Sequence, residues 1–129
     1  MKQDKHLFEY AVVRIVPKPE REEFVNVGVV LYCKDKRFLQ AKCDVNETKV
    51  KAICDDFCIE EVQEYLDAFK AIAAGDKDCK SPIARLDLPS RFRWLAATRS
   101  SVVQTSKVHP GLCTDPQSEL DKLFQQMVL

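Results

Sequence analysis

Two runs near the start of the chain constrain the fold more than anything else in it. LFEYAVVRIV (residues 7–16) and FVNVGVVLYC (residues 24–33) are dense in β-branched and aromatic residues, the composition of strands. The first ends at Pro17, which has no N–H to give to a ladder. Between them PKPEREE, with Pro17, Pro19 and a dense run of charges, reads as an exposed loop, long for a hairpin tip. Alternation in the second run places Val25, Val27, Val29, Leu31 and Cys33 on one face and Asn26, Gly28, Val30 and Tyr32 on the other, which predicts the centre of a sheet. After a turn at 34–37, FLQAKC (38–43) alternates again. Three strands joined in chain order make an antiparallel meander.

Beyond residue 43 the apolar period changes from two to between three and four. A short helix is expected after Asn46, to about Cys54. A longer one carries Ile59, Val62, Leu66, Phe69 and Ala73 as a stripe that packs on the sheet. Glu60 and Glu61 suit the positive end of its dipole, and Gly75 is placed to stop it in a left-handed cap. Residues 76–89 read as a connection tied down by Ile83 and Leu86, and Ser90 as the cap of a short helix through Phe92, Trp94 and Leu95. SVVQTSKV (101–108) has β propensity but polar residues on both faces, so it is either an edge strand or a ligand-facing one. Asp115 and Pro116 announce a last helix, whose stripe of Leu120, Leu123, Phe124, Met127 and Val128 docks the end of the chain. The expected fold is α+β: an antiparallel β-meander of three to four strands covered by helices, with a docked C-terminal helix, in a single domain over residues 1–129.

A chain of 129 residues can bury such a core without staples, and 46% apolar with 31% charged residues is the composition of a protein that folds unaided. Lysine plus arginine and aspartate plus glutamate each number 20, so the formal charge is zero, which disfavours a protein living on phosphate-backbone contacts. No segment approaches the roughly 18 apolar residues of a membrane span. The first six residues are polar, unlike a signal-peptide core, so a cytoplasmic protein is expected. Cys33, Cys43, Cys54, Cys58, Cys79 and Cys113 include no CxxC pair, and only two histidines accompany them. They are expected to be reduced, buried thiols, with no metal and no cofactor.

No GxGxxG, Walker loop, GxSxG or HExxH occurs, and three glycines are too few for a phosphate cradle. The chemistry concentrates in RFRWLAATRSSVVQTSKVHPGL (91–112), where Arg91, Arg93, Arg99, Lys107 and His109 accompany Ser100, Ser101, Thr105 and Ser106. Guanidinium forks and hydroxyl donors match phosphate or carboxylate oxygens. Arg91, Arg99, Ser101, Gln104 and His109 are therefore candidates for an anion or partner site. The plainer reading has the arginines solvated, or paired with Glu9, Glu22 or Asp87, and the serines decorating an edge. His109 precedes Pro110 and Gly111, where a strand would yield to a turn, and without a positioned partner it is read as structural rather than catalytic. Asn26 and Gly28 share a face, where the glycine admits a ligand, a tightly packed neighbour or a bulge. Arg14 interrupts the apolar face of Tyr10 and Val12 and must reach outward or pair with an acid. Asn26 and Arg14 complete the candidate set, and no residue is assigned a catalytic role.

The segments FEYAVVRIVPKPEREEFVNVGVVLYC, SPIARLDLPSRFRWLAATRSSVVQTSKVHPGL and DPQSELDKLF resemble the bacterial domain of unknown function 3037 (DUF3037) family, over about Phe8 to Phe124. The resemblance implies no established activity, substrate or catalytic residue. It does imply a possible accessory role, because members are often encoded beside a kinase-like protein related to the HipA toxin kinases. The leading expectation is accordingly a protein-interaction module for a HipA-related, kinase-like partner. The alternative is a small enzyme or ligand-binding domain for a phosphorylated or nucleotide-like compound, built on the last-third residues.

Overall fold

Residues 4–97 and 102–129 are described by a computed structural model. Strands β1 (His6–Ile15), β2 (Val25–Cys33) and β3 (Phe38–Cys43) form the expected antiparallel meander, in the order β3-β2-β1. Beyond β1 the sheet continues as a lane of two short strands. In this lane β4 (Val103–Thr105) pairs with the end of β1, and β5 (His109–Cys113) with its beginning. Ser106 joins the two. Its N–H donates to the Val12 carbonyl at 2.8 Å, and its hydroxyl accepts the Val12 N–H at 2.8 Å, standing in for a main-chain carbonyl. Five strands thus occupy four lanes, with β1 and β2 both interior.

This outer lane differs from the sequence reading at two points. The strand placed at 101–108 contracts to Val103–Thr105, on the edge, and His109 begins a strand rather than a turn. Pro110 is tolerated because an outermost strand has one side without ladder bonds. Gly111 is required by its neighbour across the ladder, since a Cβ there would lie 2.5 Å from Cζ of Phe8.

The second strand carries a further correction. Val13 pairs with Gly28 but Arg14 pairs with Asn26, so Val27 is an extra, bulged residue. One inserted residue reverses the alternation. Val25 and Val27 therefore share a face with Val30 and Tyr32, while Asn26 shares the opposite face with Val29, Leu31 and Cys33. Gly28 admits no ligand, because the neighbouring strand fills its space: a Cβ would lie 2.6 Å from Sγ of Cys43 and 2.7 Å from the carbonyl oxygen of Lys42.

Four α-helices cover the two faces: α1 (Glu47–Ile53), α2 (Ile59–Ala74), α3 (Leu88–Ala96) and α4 (Pro116–Met127). Asn46 caps α1 by accepting the Lys49 N–H, and Gly75 ends α2 at φ 67°. The cap of α3 is Asp87, not Ser90: its carboxylate accepts the Ser90 N–H at 2.9 Å, which starts the helix at Leu88. On one face Ala11, Val13, Ile15, Val30 and Tyr32 of the sheet meet Val50 of α1, Val62, Leu66, Phe69 and Ile72 of α2, and Phe92 and Leu95 of α3. On the other, Phe8, Val29, Leu31, Cys33 and Cys113 meet Leu120, Leu123, Phe124 and Val128. The result is an α+β sandwich of three layers, with the C-terminal helix docked as expected. Among the described residues no helix is long and apolar enough to cross a membrane.

All six cysteines carry free thiols. Burial pushes the Cys43 thiol up to about 12 and, with Cys33 beside it, the Cys113 thiol up to about 11. The buried-thiol expectation holds for Cys33 and Cys113; Cys43, Cys54 and Cys79 are only half-buried, and Cys58 is exposed because it stands outside α2 at its N-terminal cap.

Candidate functional site

The cluster that is continuous in sequence is divided in space. Arg91 on α3 donates from Nη1 to the Leu86 carbonyl at 2.9 Å, and its guanidinium lies 3.2–3.3 Å from where a Cβ on Gly75 would stand. It therefore closes the end of α2, using a carbonyl rather than an acid. Gln104 and His109 lie across the sheet from α3: Gln104 pairs with Arg14, and His109 pairs with Tyr10, their rings 5.4 Å apart between centroids. Arg99 and Ser101 lie outside the described residues.

The ladder does bring three candidates together. Asn26, Arg14 and Gln104 are successive neighbours across β2, β1 and β4, on the face that carries α4. Among the described residues Arg14 finds no acid but instead the ring of Phe24, with Cζ 4.1 Å from its centroid. Asn26 donates from Nδ2 to the Met127 carbonyl at 3.0 Å, and Lys49 donates from Nζ to the Val128 carbonyl at 3.2 Å. These carbonyls are acceptors that the last turn of a helix leaves unsatisfied, and a lysine there also meets the negative end of the dipole. Asn26, together with Lys49 of α1, thus fastens the end of α4. Asn26→Ala is expected to lower stability by about 1 kcal/mol, and Asn26→Asp by more, since a carboxylate would face the carbonyl end of the helix. Urea denaturation checks the order; equal stability of all three proteins would refute the fastening role.

The feature that sequence reasoning missed lies at the opposite end of the sheet. Leu7 and Leu112 are direct neighbours across β1 and β5, and they are 58% and 62% exposed. Beside them two adjoining hollows of about 280 and 320 Å³ share Glu9, Tyr32, Pro89 and Arg93. They make one groove between α3 and the sheet, with Leu7 and Val108 on its outer shoulder. In the groove Tyr32 stacks on Phe92 at 5.3 Å. Burial, and then the Glu9 carboxylate, raise the Tyr32 hydroxyl against the opposing pull of Arg93, so it remains a hydrogen-bond donor at neutral pH. Nothing in the period of residues 7–16 marks Leu7 as outward and apolar. Only its pairing with Leu112, on a strand read as a turn, makes the shoulder visible.

Among the described residues, no three histidine, cysteine, aspartate or glutamate side chains converge to hold a metal ion. Fold and surface together define a three-layer α+β protein with an apolar shoulder at one end of its sheet. A family profile described as a protein of unknown function, DUF3037, matches residues 10–128, and the chain belongs to that family. Searches of curated proteins and of solved structures return no match.

Proposed function

We propose that this protein is an interaction module whose docking surface is the shoulder of Leu7, Val108 and Leu112 with the groove beneath α3. The observation that carries the reading is the leucine pair, large apolar side chains opposite each other and both turned to solvent. Contiguous apolar surface rimmed by polar groups is the signature of a protein interface, and Glu9, Lys34, Asp35 and Arg93 provide the rim. Covering the two leucines is worth about 2–4 kcal/mol. The partner implied by the family resemblance is a HipA-related, kinase-like protein, for which this chain acts as an accessory subunit. The alternative of a phosphate- or nucleotide-directed enzyme draws no support from the geometry, because Arg91 and His109 stand on opposite sides of the sheet.

Co-expression with a HipA-related, kinase-like protein from the same source, followed by co-purification, tests the reading. A stable complex is expected. Leu112→Glu should weaken it by about a hundredfold, the loss of about 2.7 kcal/mol, with the melting temperature nearly unchanged because the side chain is already exposed. No complex, or a complex indifferent to Leu112→Glu and Leu7→Glu, would overturn it.

A further inference from the structure

The turn between α1 and α2 and the first turns of α2 stand off from β4, leaving a cleft of about 440 Å³. That volume falls in the range of small-molecule sites. The floor is apolar: Val62 and Val103 are buried, and Phe57, Tyr65 and Val102 are half-buried. The rim carries the carboxylates of Asp56 and Glu61 and the thiols of Cys54 and Cys58, and among the described residues it carries no base. The surroundings have the same sign, for residues 52–69 contain six carboxylates and neither lysine nor arginine.

These carboxylates are available. Asp56 is held below the usual carboxylate range, first by the Cys54 thiol that donates to it at 3.1 Å, and is ionised at neutral pH. Lys18 acts on it only through its distant charge, and among the described residues neither Asp56 nor Glu61 is in an ion pair. The positive end of the α2 dipole is close, but Glu60 and Glu61 occupy the first turn and meet it. A ligand that suits this cleft must therefore bury an apolar body and present positive charge at the mouth. An anion meets repulsion from two carboxylates, and a neutral hydrophobe leaves them without a counter-charge.

We propose that the cleft is a binding site for an organic cation, a small aryl-alkyl amine whose ring lies against Phe57 and Val62 and whose ammonium faces Asp56 and Glu61. The site is separate from the shoulder at Leu7 and Leu112, so either reading can fail without the other.

The test uses the full chain and three indole probes: tryptamine, its neutral counterpart tryptophol, and the anion indolepropionate. Binding is followed by amide NMR titration and by the alkylation rate of Cys58, the exposed thiol on the rim. Tryptamine is expected to give saturable shifts at Phe57, Val62 and Val103 with a Kd on the order of 1 mM or tighter. It should slow Cys58 alkylation, weaken as salt is added, and bind about three- to tenfold more tightly than tryptophol. Indolepropionate should give no saturable shift. The double variant Asp56→Asn, Glu61→Gln changes only exposed groups and should fold normally while losing the preference for tryptamine over tryptophol. Equal binding of tryptamine and tryptophol, a preference that survives in the double variant, or the absence of any saturable shift with tryptamine would each overturn the assignment.

Discussion

Gly28→Ala is expected to cost about 2–3 kcal/mol of folding stability, measured by urea denaturation. The residue sits beside the bulge in β2 and pairs with Cys43 of β3. A Cβ there would meet two obstacles of different kinds: Sγ of Cys43 at 2.6 Å and the Lys42 carbonyl oxygen at 2.7 Å. The thiol can turn away, but the carbonyl belongs to the backbone of β3 and moves only with the ladder. Pairing the change with Cys43→Ala should therefore recover part of the loss and not all of it. Alanine also restricts the unfolded chain, which offsets the loss by about 0.4–1 kcal/mol. Full rescue by Cys43→Ala would show that the thiol alone closes this space.

The larger effect is expected at Phe124. It is the aromatic anchor of α4, buried against Val29, Leu31 and Cys33, with the Lys42 ammonium 5.0 Å from its ring centroid. Phe124→Ala should cost about 3–5 kcal/mol, a large share of the roughly 5–15 kcal/mol that holds a domain folded. The same helix covers Cys33 and Cys113, so loosening it has a chemical readout. In the intact protein these thiols should resist iodoacetamide at pH 8, because they are buried and Cys113 is pushed up to about 11. In Phe124→Ala both should be labelled on the time scale of local opening. A variant that keeps wild-type stability and protected thiols would show that α4 is not anchored there.

The raised thiols also set the direction of a pH effect. Folding lifts Cys43 to about 12 and Cys113 to about 11, both by burial first, so the neutral form is favoured in the folded state. Their contribution is complete below the unfolded value of about 8.5 and is lost progressively as pH rises through the folded values. Stability should accordingly fall from about pH 8.5 upward and recover when the pH is returned.

The meander and the α-helices are legible in the sequence because local and tertiary signals agree there, α3 differing only in its cap, Asp87 in place of Ser90. Alternation over residues 7–16 and 38–43, the Asn46 cap, the stripe ending at Gly75 and the Asp115-Pro116 start all meet their structural counterparts. The failures have physical causes that no local pattern carries. In β2 a single extra residue at Val27 exchanges the two faces, and bulges leave no mark in the hydrophobic period. In β5 the pair Pro110-Gly111 has turn chemistry, yet an outermost lane excuses the proline and the ring of Phe8 demands the glycine. The candidate site is less legible than the fold, since adjacency in sequence does not survive as adjacency in space when a sheet lies between. Arg91 and His109 are eighteen positions apart (109 minus 91) with the sheet between them, whereas Arg14, Asn26 and Gln104, distant in sequence, are cross-strand neighbours.

The outer lane has a consequence for how the protein meets other molecules. Broken at Ser106 and deprived of an amide proton at Pro110, it offers no unbroken row of donors and acceptors on which a foreign chain could zip. Growth of the sheet by recruitment, whether of a partner's strand or of further copies heading toward fibrils, is thereby discouraged at this margin. On the proposed reading, recognition is left to the leucines and the groove, which can be complementary to one surface and not to every extended peptide.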